Sequence, residues 1–178
     1  RVEVEIRRLG AQGDGVAEQD GAQLFVPRAL PGERWAIGPG AAARLTSSPD
    51  RVAPPCRHFG TCGGCQAQHM SDAIYAPWKE GVVAEAFRHR GLEPAIAPLV
   101  RVPPGTRRRA VLGAAVKGGK VVLGFREEGE HRLVDLAECL VLDPSIVAAF
   151  DLLREIAGLL LAHAPKAKAR KRGERGAR

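Results

Sequence analysis

Four cysteines are the residues of this 178-residue chain most suited to chemistry. Cys56, Cys62 and Cys65 lie within ten residues of one another, and Cys139 follows after a further 73 residues. Glycines separate the first three, which lets the backbone wrap tightly and turn successive sulfurs inward. Four soft thiolates match the ligand set of a Zn²⁺ ion or a [4Fe–4S] cluster and exclude Mg²⁺ and Ca²⁺. The spacing is compatible with both iron and zinc.

Free or disulfide-bonded cysteines are the alternative interpretation of the same residues. Disulfide frameworks are typical of secreted chains rich in cysteine, whereas this sequence has four cysteines and shows no secretory signal. Unrelated core cysteines would seldom place three within ten residues. His58 and His69 flank the motif and either could replace a cysteine at a zinc site, but we expect them at the surface or behind the ligands.

The residues before the cysteines predict small β structure. Alternating or apolar runs at 2–7, 22–27, 35–37 and 42–46 predict short strands, separated by turns rich in glycine and proline. Several strands spaced by about ten residues are typical of a small barrel. A polar linker precedes the cysteine motif.

The residues after the motif predict alternating helix and β structure, which makes the whole chain α+β. Pro77 and the apolar positions that follow it predict a helix of about thirteen residues that ends at Gly91. Strands at 109–116 and 120–125 flank a Gly-Gly hairpin turn, and a third strand covers 131–136. Asp143 caps one last helix, with Pro144 at its first position and a single apolar stripe.

The net charge of +7 is mostly a property of the chain's end. From His163 onward there are seven Lys or Arg residues and one Glu, so the preceding 162 residues carry a net charge of only +1. Global charge is therefore weak evidence that the folded part binds nucleic acid. We expect 164–178 to be a solvated, disordered tail. No apolar run of about 18 residues predicts a membrane span, and we expect a cytoplasmic protein.

The stretch from Cys56 to His69, CRHFGTCGGCQAQH, resembles the cluster motif of the iron–sulfur RNA uracil-5 methyltransferases, which include bacterial 23S ribosomal RNA enzymes. In that family a fourth cysteine lies in a later β region, and residues 124–126 and 131–135, Cys139 and Asp143-Pro144 match that region here. The resemblance implies a [4Fe–4S] cluster on the four cysteines, with zinc as the alternative, and an RNA partner, ribosomal RNA in the family's own case.

The first residues resemble a TRAM domain, an RNA-binding β-barrel that precedes the cluster in many of these enzymes. The matching stretches are Leu9-Gly10, Gly13-Asp-Gly-Val-Ala17, Phe25-Val-Pro and Ala29-Leu-Pro-Gly-Glu33. The resemblance implies a five-stranded OB-like barrel over 1–48 and a cluster-binding α+β region over 49–163, followed by the tail.

One part of the family pattern is missing. Members continue into a Rossmann-like domain that binds S-adenosylmethionine and carries a nucleophilic cysteine and a catalytic base. Here the glycine-rich stretch from Gly10 to Gly15 opens no helix, and no cysteine remains once four are ligands. We therefore expect a fragment, a truncated product or one half of a split enzyme, inactive without a separate catalytic domain or subunit.

RNA contacts are expected from two places. Arg107, Arg108 and Arg109 form a dense basic run suited to phosphates, although a solvated strand entrance has the same appearance. Phe59, inside the cysteine loop, could stack on a base or instead pack against the cluster and exclude water. Two other functions fit the residues: a stand-alone RNA-binding module whose four cysteines hold a structural zinc ion, and a small iron–sulfur redox protein.

Overall fold

The computed structural model describes residues 1–40 and 42–163. Its first six strands are β1 Val2–Glu5, β2 Arg8–Leu9, β3 Gly15–Gln19, β4 Ala22–Val26, β5 Arg34–Ile37 and β6 Ala43–Arg44. Then follow the helix α1 Asp72–Arg88, the strands β7 Gly113–Lys117 and β8 Lys120–Gly124, and the helices α2 Pro144–Ala148 and α3 Phe150–His163. The predicted tail, 164–178, lies outside the described residues.

The first six strands form two antiparallel sheets of three strands each, in the orders β1-β5-β6 and β2-β3-β4. The chain passes from one sheet to the other between Ile6 and Arg7. The Ile6 N–H donates to the Glu33 carbonyl at 2.9 Å, and the Arg7 N–H donates to the Val16 carbonyl at 2.9 Å. One continuous run of backbone thus joins the two sheets.

Both sheets contribute to a single apolar core. The alternation in β1 turns Val4 inward, and Ile6 follows at the same spacing. Ala17, Val26 and Ala29 complete the buried cluster, and all of its members are at most 6% exposed. Burying a Val or Ile side chain stabilises a fold by roughly 1.5–3 kcal/mol, so this small core can hold two short sheets together.

The predicted closed barrel is not confirmed. Six strands form in place of five, and within the described residues no ladder joins β4 to β6. A closed barrel needs a ladder between every pair of neighbouring strands. β6 has only two residues, both paired to β5, which leaves it too short to close the other seam. The described chain is a mixed α and β fold built on small antiparallel sheets.

The helix α1 is longer than expected and begins earlier. It starts at Asp72 behind the N-cap residue Ser71, so Pro77 lies inside the helix rather than in its first turn. The end is as predicted: Gly91 adopts a φ of +70°, and the Leu92 N–H donates to the Phe87 carbonyl at 3.1 Å. No residue of α1 is fully buried in the described structure, so its predicted apolar stripe stays largely uncovered.

The later hairpin is confirmed, but its expected third strand is not. β7 and β8 pair through the Gly-Gly turn, and the hairpin begins at Gly113 rather than at 109. Segment 131–136 stays irregular because the Asp135 carboxylate accepts the Leu123 N–H at 3.2 Å and interrupts the ladder. The segment still lies against β8, since a Cβ at Gly124 would be 2.0 Å from the Val134 carbonyl oxygen.

The last helix divides in two. The Asp143 carboxylate accepts the Ser145 N–H at 3.0 Å and caps α2 as predicted. The chain then tightens at Ala149, whose N–H donates to the Ile146 carbonyl three residues back, and α3 begins at Phe150. Phe150 is buried against the hairpin, whereas Leu160 of the predicted stripe is 68% exposed. None of the helices in the described part of the chain is long and apolar enough to cross a membrane.

Candidate metal centre

All four cysteines face one narrow cavity. Cys56, Cys62, Cys65 and Cys139 line it together, and all four are free thiols. Cys62 is buried and the other three are half-buried. The tertiary fold therefore brings the distant fourth cysteine to the clustered three, as the sequence predicted.

β8 and the residues that continue it position both halves of this set. The loop before Cys65 docks on this continuation, where the Gly63 N–H donates to the Arg126 carbonyl and the Glu128 N–H donates to the Thr61 carbonyl, each at 2.9 Å. Cys139 follows a segment held on β8 itself, where the Leu136 N–H donates to the Leu123 carbonyl at 3.0 Å. One strand is thus the common support of two chain segments far apart in sequence.

Local turns fix the remaining geometry of the loop. The His58 carbonyl accepts the N–H groups of Thr61 and Cys62, at 3.2 and 2.8 Å. The Cys56 N–H donates to the side-chain oxygen of Gln68 at 3.3 Å. Beside Cys56, an Arg57–Glu138 ion pair at 3.0 Å joins the loop directly to the residue before Cys139.

The cavity disfavours thiolates unless a cation enters it. Burial raises the pKa of the Cys62 thiol, and the charges of the other three cysteines raise it further, against the lowering effect of the Gly64 N–H. Burial likewise raises the pKa of Cys65. A bound metal reverses this balance because coordination deprotonates a thiol outright. The donor set therefore fits a cationic metal group bound by thiolates.

The thiols surround the cavity without meeting at one point. In residues 1–40 and 42–163, no three Cys, His, Asp or Glu side chains stand close enough together to hold a single metal ion. One backbone donor already points at a sulfur, since the Gly64 N–H lies 3.4 Å from Cys62 Sγ.

The two histidines of the motif have different positions. His58 lines the cavity with the cysteines, and its Nε2 is buried with no hydrogen-bond partner in the described structure. His69 is only 1% exposed and lies beside Phe59, with ring centroids 5.5 Å apart. Burial lowers the pKa of His69 to about 4, and the charge of Arg51 lowers it as well. His69 is thus a neutral core residue.

Comparison with known proteins shows what this chain is similar to. An uncharacterised RNA methyltransferase of Brucella suis is 43% identical over 163 residues, which is 89% of this chain and 39% of that protein. Another from Caulobacter vibrioides is 44% identical over 170 residues, 90% of this chain and 41% of that protein. This chain is a homologue of RNA methyltransferases. No family model matches it.

One relative of this RNA methyltransferase homologue carries a more specific name. The 23S rRNA (uracil(1939)-C(5))-methyltransferase RlmD of Halomonas elongata is 40% identical over 169 residues, 87% of this chain and 35% of that protein. The chain spans about two fifths of the length of the curated relatives it matches. The family resemblance expected from the sequence is thereby confirmed.

The expected RNA contacts of this methyltransferase homologue lie in two different settings. Phe59 is half-buried in the cavity wall, a position suited to excluding water from the cysteines, and base stacking by Phe59 stays a prediction. Arg107, Arg108 and Arg109 are exposed on an extended segment ahead of β7 rather than at its start. Arg107 is anchored by its backbone, since its N–H donates to the Val141 carbonyl at 3.0 Å.

Sequence reasoning missed the buried carboxylate of Glu33, which the sequence pattern indicates only as part of a turn. Its side chain is fully buried and accepts the N–H groups of Leu30 and Ser48, the Trp35 indole N–H and two donors of Arg51. Burial alone would raise the pKa of Glu33, but these donors, Arg51 first, lower it to about 2. A glutamate that follows a Pro-Gly turn and lies two residues before a tryptophan is the local signal.

Polar contacts of Arg28 and Trp78 connect the N-terminal sheets to the rest of the chain. The Arg28 guanidinium forms an ion pair with Glu128 and donates to the Gly60 carbonyl at 3.4 Å. The Trp78 indole N–H donates to the Gly10 carbonyl at 2.8 Å and attaches α1 to the turn before β3. The β region and the cysteine region are thus held in contact by polar bonds at two places.

Proposed function

We propose that this chain is the RNA-recognising and [4Fe–4S]-bearing portion of an S-adenosylmethionine-dependent uracil-5 methyltransferase that acts on 23S ribosomal RNA. The observation that carries the proposal is the convergence of Cys139 with Cys56, Cys62 and Cys65 on one cavity. It occurs in a homologue of RNA methyltransferases, one of whose relatives is named for uracil C5 of 23S rRNA.

The family resemblance favours a cluster over a single zinc ion, since four thiols match the ligand number of both groups. A [4Fe–4S] cluster takes one thiolate on each of its four irons, whereas a zinc ion would draw all four sulfurs to about 3.8 Å from one another.

The cluster's contribution is structural. Once bound by the four thiolates, it supplies a covalent tie between the loop of Cys56–Cys65 and the segment that ends at Cys139. Methyl transfer from S-adenosylmethionine to a uridine requires no electron. The tie would fix the surface around the cavity against the two sheets, where the RNA would dock.

This chain alone has no nucleophile for the reaction. The family's chemistry begins with attack of a thiolate on uracil C6, which activates C5. All four cysteines line the cavity, and burial raises the pKa of Cys62 and Cys65. Methyl transfer would therefore need groups from a separate catalytic domain.

RNA recognition would combine the two β sheets with the exposed arginines. The TRAM-like pattern over 1–48 supports an RNA-binding role for the sheets, although their seam is not closed. Arg108 and Arg109 are exposed and form no ion pair with a described residue, so they are suited to phosphate oxygens. Such contacts supply affinity without sequence specificity.

The metal content is the first test. The protein would be purified without oxygen, and its iron, acid-labile sulfide and zinc would be measured per chain. Four irons and four sulfides per chain are expected. Stoichiometric zinc, with no iron taken up on anaerobic reconstitution, would refute the cluster and favour the stand-alone RNA-binding module.

RNA binding and methyl transfer form the second test. Binding would be measured with a 23S rRNA fragment that contains the target uridine and with a scrambled fragment of equal length. Tighter binding to the native fragment and no transfer of a labelled methyl group are expected. Methyl transfer by this chain alone would contradict the assignment of all four cysteines as ligands.

A further inference from the structure

We infer that His58 is a hydrogen-bond donor to the metal group, presenting its Nε2–H to a sulfur inside the cysteine cavity. This inference rests on the proposed function, because it assigns a role toward the cluster proposed there. Two observations carry it. His58 is part of the cavity wall, and its Nε2 is buried without a partner among the described residues.

The other polar side chains in the cavity wall already have partners. The Gln68 side-chain oxygen accepts the Cys56 N–H, and the Gln68 side chain also hydrogen-bonds the Cys65 thiol. Glu138 is paired with Arg57 at 3.0 Å. Since His58 Nε2 forms no hydrogen bond to a cysteine sulfur in the described structure, a sulfur of the bound cluster is the acceptor that we infer for it.

The buried nitrogen needs such a partner. A polar atom buried without a hydrogen bond costs about 1–3 kcal/mol. Both ring nitrogens of His69 also lack a partner in the described structure, but of the two histidines only His58 lines the cavity. Neutral imidazole carries one N–H and one acceptor nitrogen. The tautomer with the proton on Nε2 places a donor in the cavity, where sulfur is the acceptor. The backbone of His58 is held in place because its carbonyl accepts the Cys62 N–H at 2.8 Å.

The consequence is electrostatic. Hydrogen bonds to the sulfurs are among the factors that set the reduction potential of an iron–sulfur cluster. A donor stabilises the reduced, more negative cluster more than the oxidised one, so His58 raises the potential. His58 therefore acts on the reduction potential of the cluster and takes no part in methyl transfer itself.

Three variants of the iron-loaded protein test the role. His58→Phe keeps a ring and removes the donor, whereas His58→Gln keeps an N–H donor. His89→Phe is the matched control, because His89 ends α1 with its side chain 72% exposed and paired with Glu85. Each protein would be loaded with iron and sulfide without oxygen and titrated to its midpoint potential with dithionite.

The expected result is a more negative potential in His58→Phe alone. A change of about tenfold in the reduction equilibrium corresponds to about 59 mV for a one-electron couple. The His58→Gln and His89→Phe proteins should stay near the unchanged protein. Loss of iron from His58→Phe with normal iron and potential in His58→Gln would also support the donor.

Other outcomes overturn the inference. An unchanged potential in His58→Phe would show that His58 donates no hydrogen bond to the cluster. Loss of iron from both His58 variants would show that His58 is a ligand or is required for folding. The proposed function fails separately, since it falls when the unchanged protein takes up no iron. Normal iron content with an unchanged His58→Phe potential therefore rejects this inference alone.

Discussion

The two halves of the molecule treat their buried polar groups in opposite ways. In the β region, Glu33 is fully buried and its carboxylate accepts five hydrogen bonds, two of them from Arg51. In the cysteine region, four thiols and His58 line a cavity, and neither the Nε2 of His58 nor either ring nitrogen of His69 has a partner within the described chain. The first centre is satisfied by the protein's own atoms, and under the proposed function the cavity of the second would be filled by a bound metal group.

The difference shows where each half obtains its stability. The β region joins its sheets through backbone ladders, an apolar core and the Glu33 network, all of which form on folding. The cysteine region, residues 49–163, has one hairpin, three helices and a set of thiols for which burial disfavours the charged form. We therefore expect the cysteine region to depend on metal and the β region to be independent of it.

The largest expected effect comes from Cys62→Ser, which breaks the cysteine region. A hydroxyl is a poor ligand for iron, so the protein should lose its metal and on the order of several kcal/mol of stability. Metal analysis and thermal unfolding would measure both. Thr61→Ser is the matched control at the neighbouring, exposed position. A Cys62→Ser protein with full metal content and an unchanged Tm would contradict the metal centre.

The second-largest expected effect is a loss of stability confined to the β region. Glu33→Gln removes the charge that pairs with Arg51, whose side chain is only 15% exposed. Breaking one partner of a buried pair costs about 3–5 kcal/mol. Denaturant unfolding should show this loss while the metal content stays normal. Glu3→Gln, which breaks the exposed Glu3–Arg34 pair, should cost about 1 kcal/mol or less.

The pH dependence of the β region sharpens the same contrast. The pKa of Glu33 is lowered from 4.5 to about 2, so its contribution is present above pH 4.5 and is lost as the pH falls towards 2. A shift of this size corresponds to about 3 kcal/mol. Hydrogen exchange of peptides from 1–48 should accelerate through this window. The Glu33→Gln protein should show a smaller acceleration, and equal slopes would refute the assignment.

The smallest effect concerns RNA. The double variant Arg108→Ala and Arg109→Ala should weaken binding to the 23S rRNA fragment by a few fold without changing stability. The slope of log affinity against log salt should fall by about 0.7 for each single-strand phosphate that the variant no longer neutralises. Arg132→Ala is the control, since that side chain is already paired with Glu127 at 2.9 Å. An unchanged slope would show that Arg108 and Arg109 contact no phosphate and are solvated in the complex.

Local patterns predicted most of the elements. Four of the six strands of the N-terminal sheets, the hairpin at Gly118 and the caps at Gly91 and Asp143 appear as predicted, whereas β2 and β3 were not predicted. Each depends on residues close in sequence, where side-chain alternation or a turn's backbone angles determine the result. The errors arise where a distant group intervenes, as when Asp135 takes the N–H of Leu123 and prevents a third strand.

The sequence by itself determined the chemistry available to this protein. Four cysteines, three of them within ten residues, predict a soft-metal site, and the order of motifs predicted the relationship to RNA methyltransferases. Only the tertiary structure brought Cys139 to the other three, buried Glu33 and left His58 without a partner in the described residues. Spacing fixes which groups are present, whereas contacts between segments far apart in the chain decide which are desolvated and which are paired. Desolvation and pairing in turn determine the charge, the pKa and the role of each group.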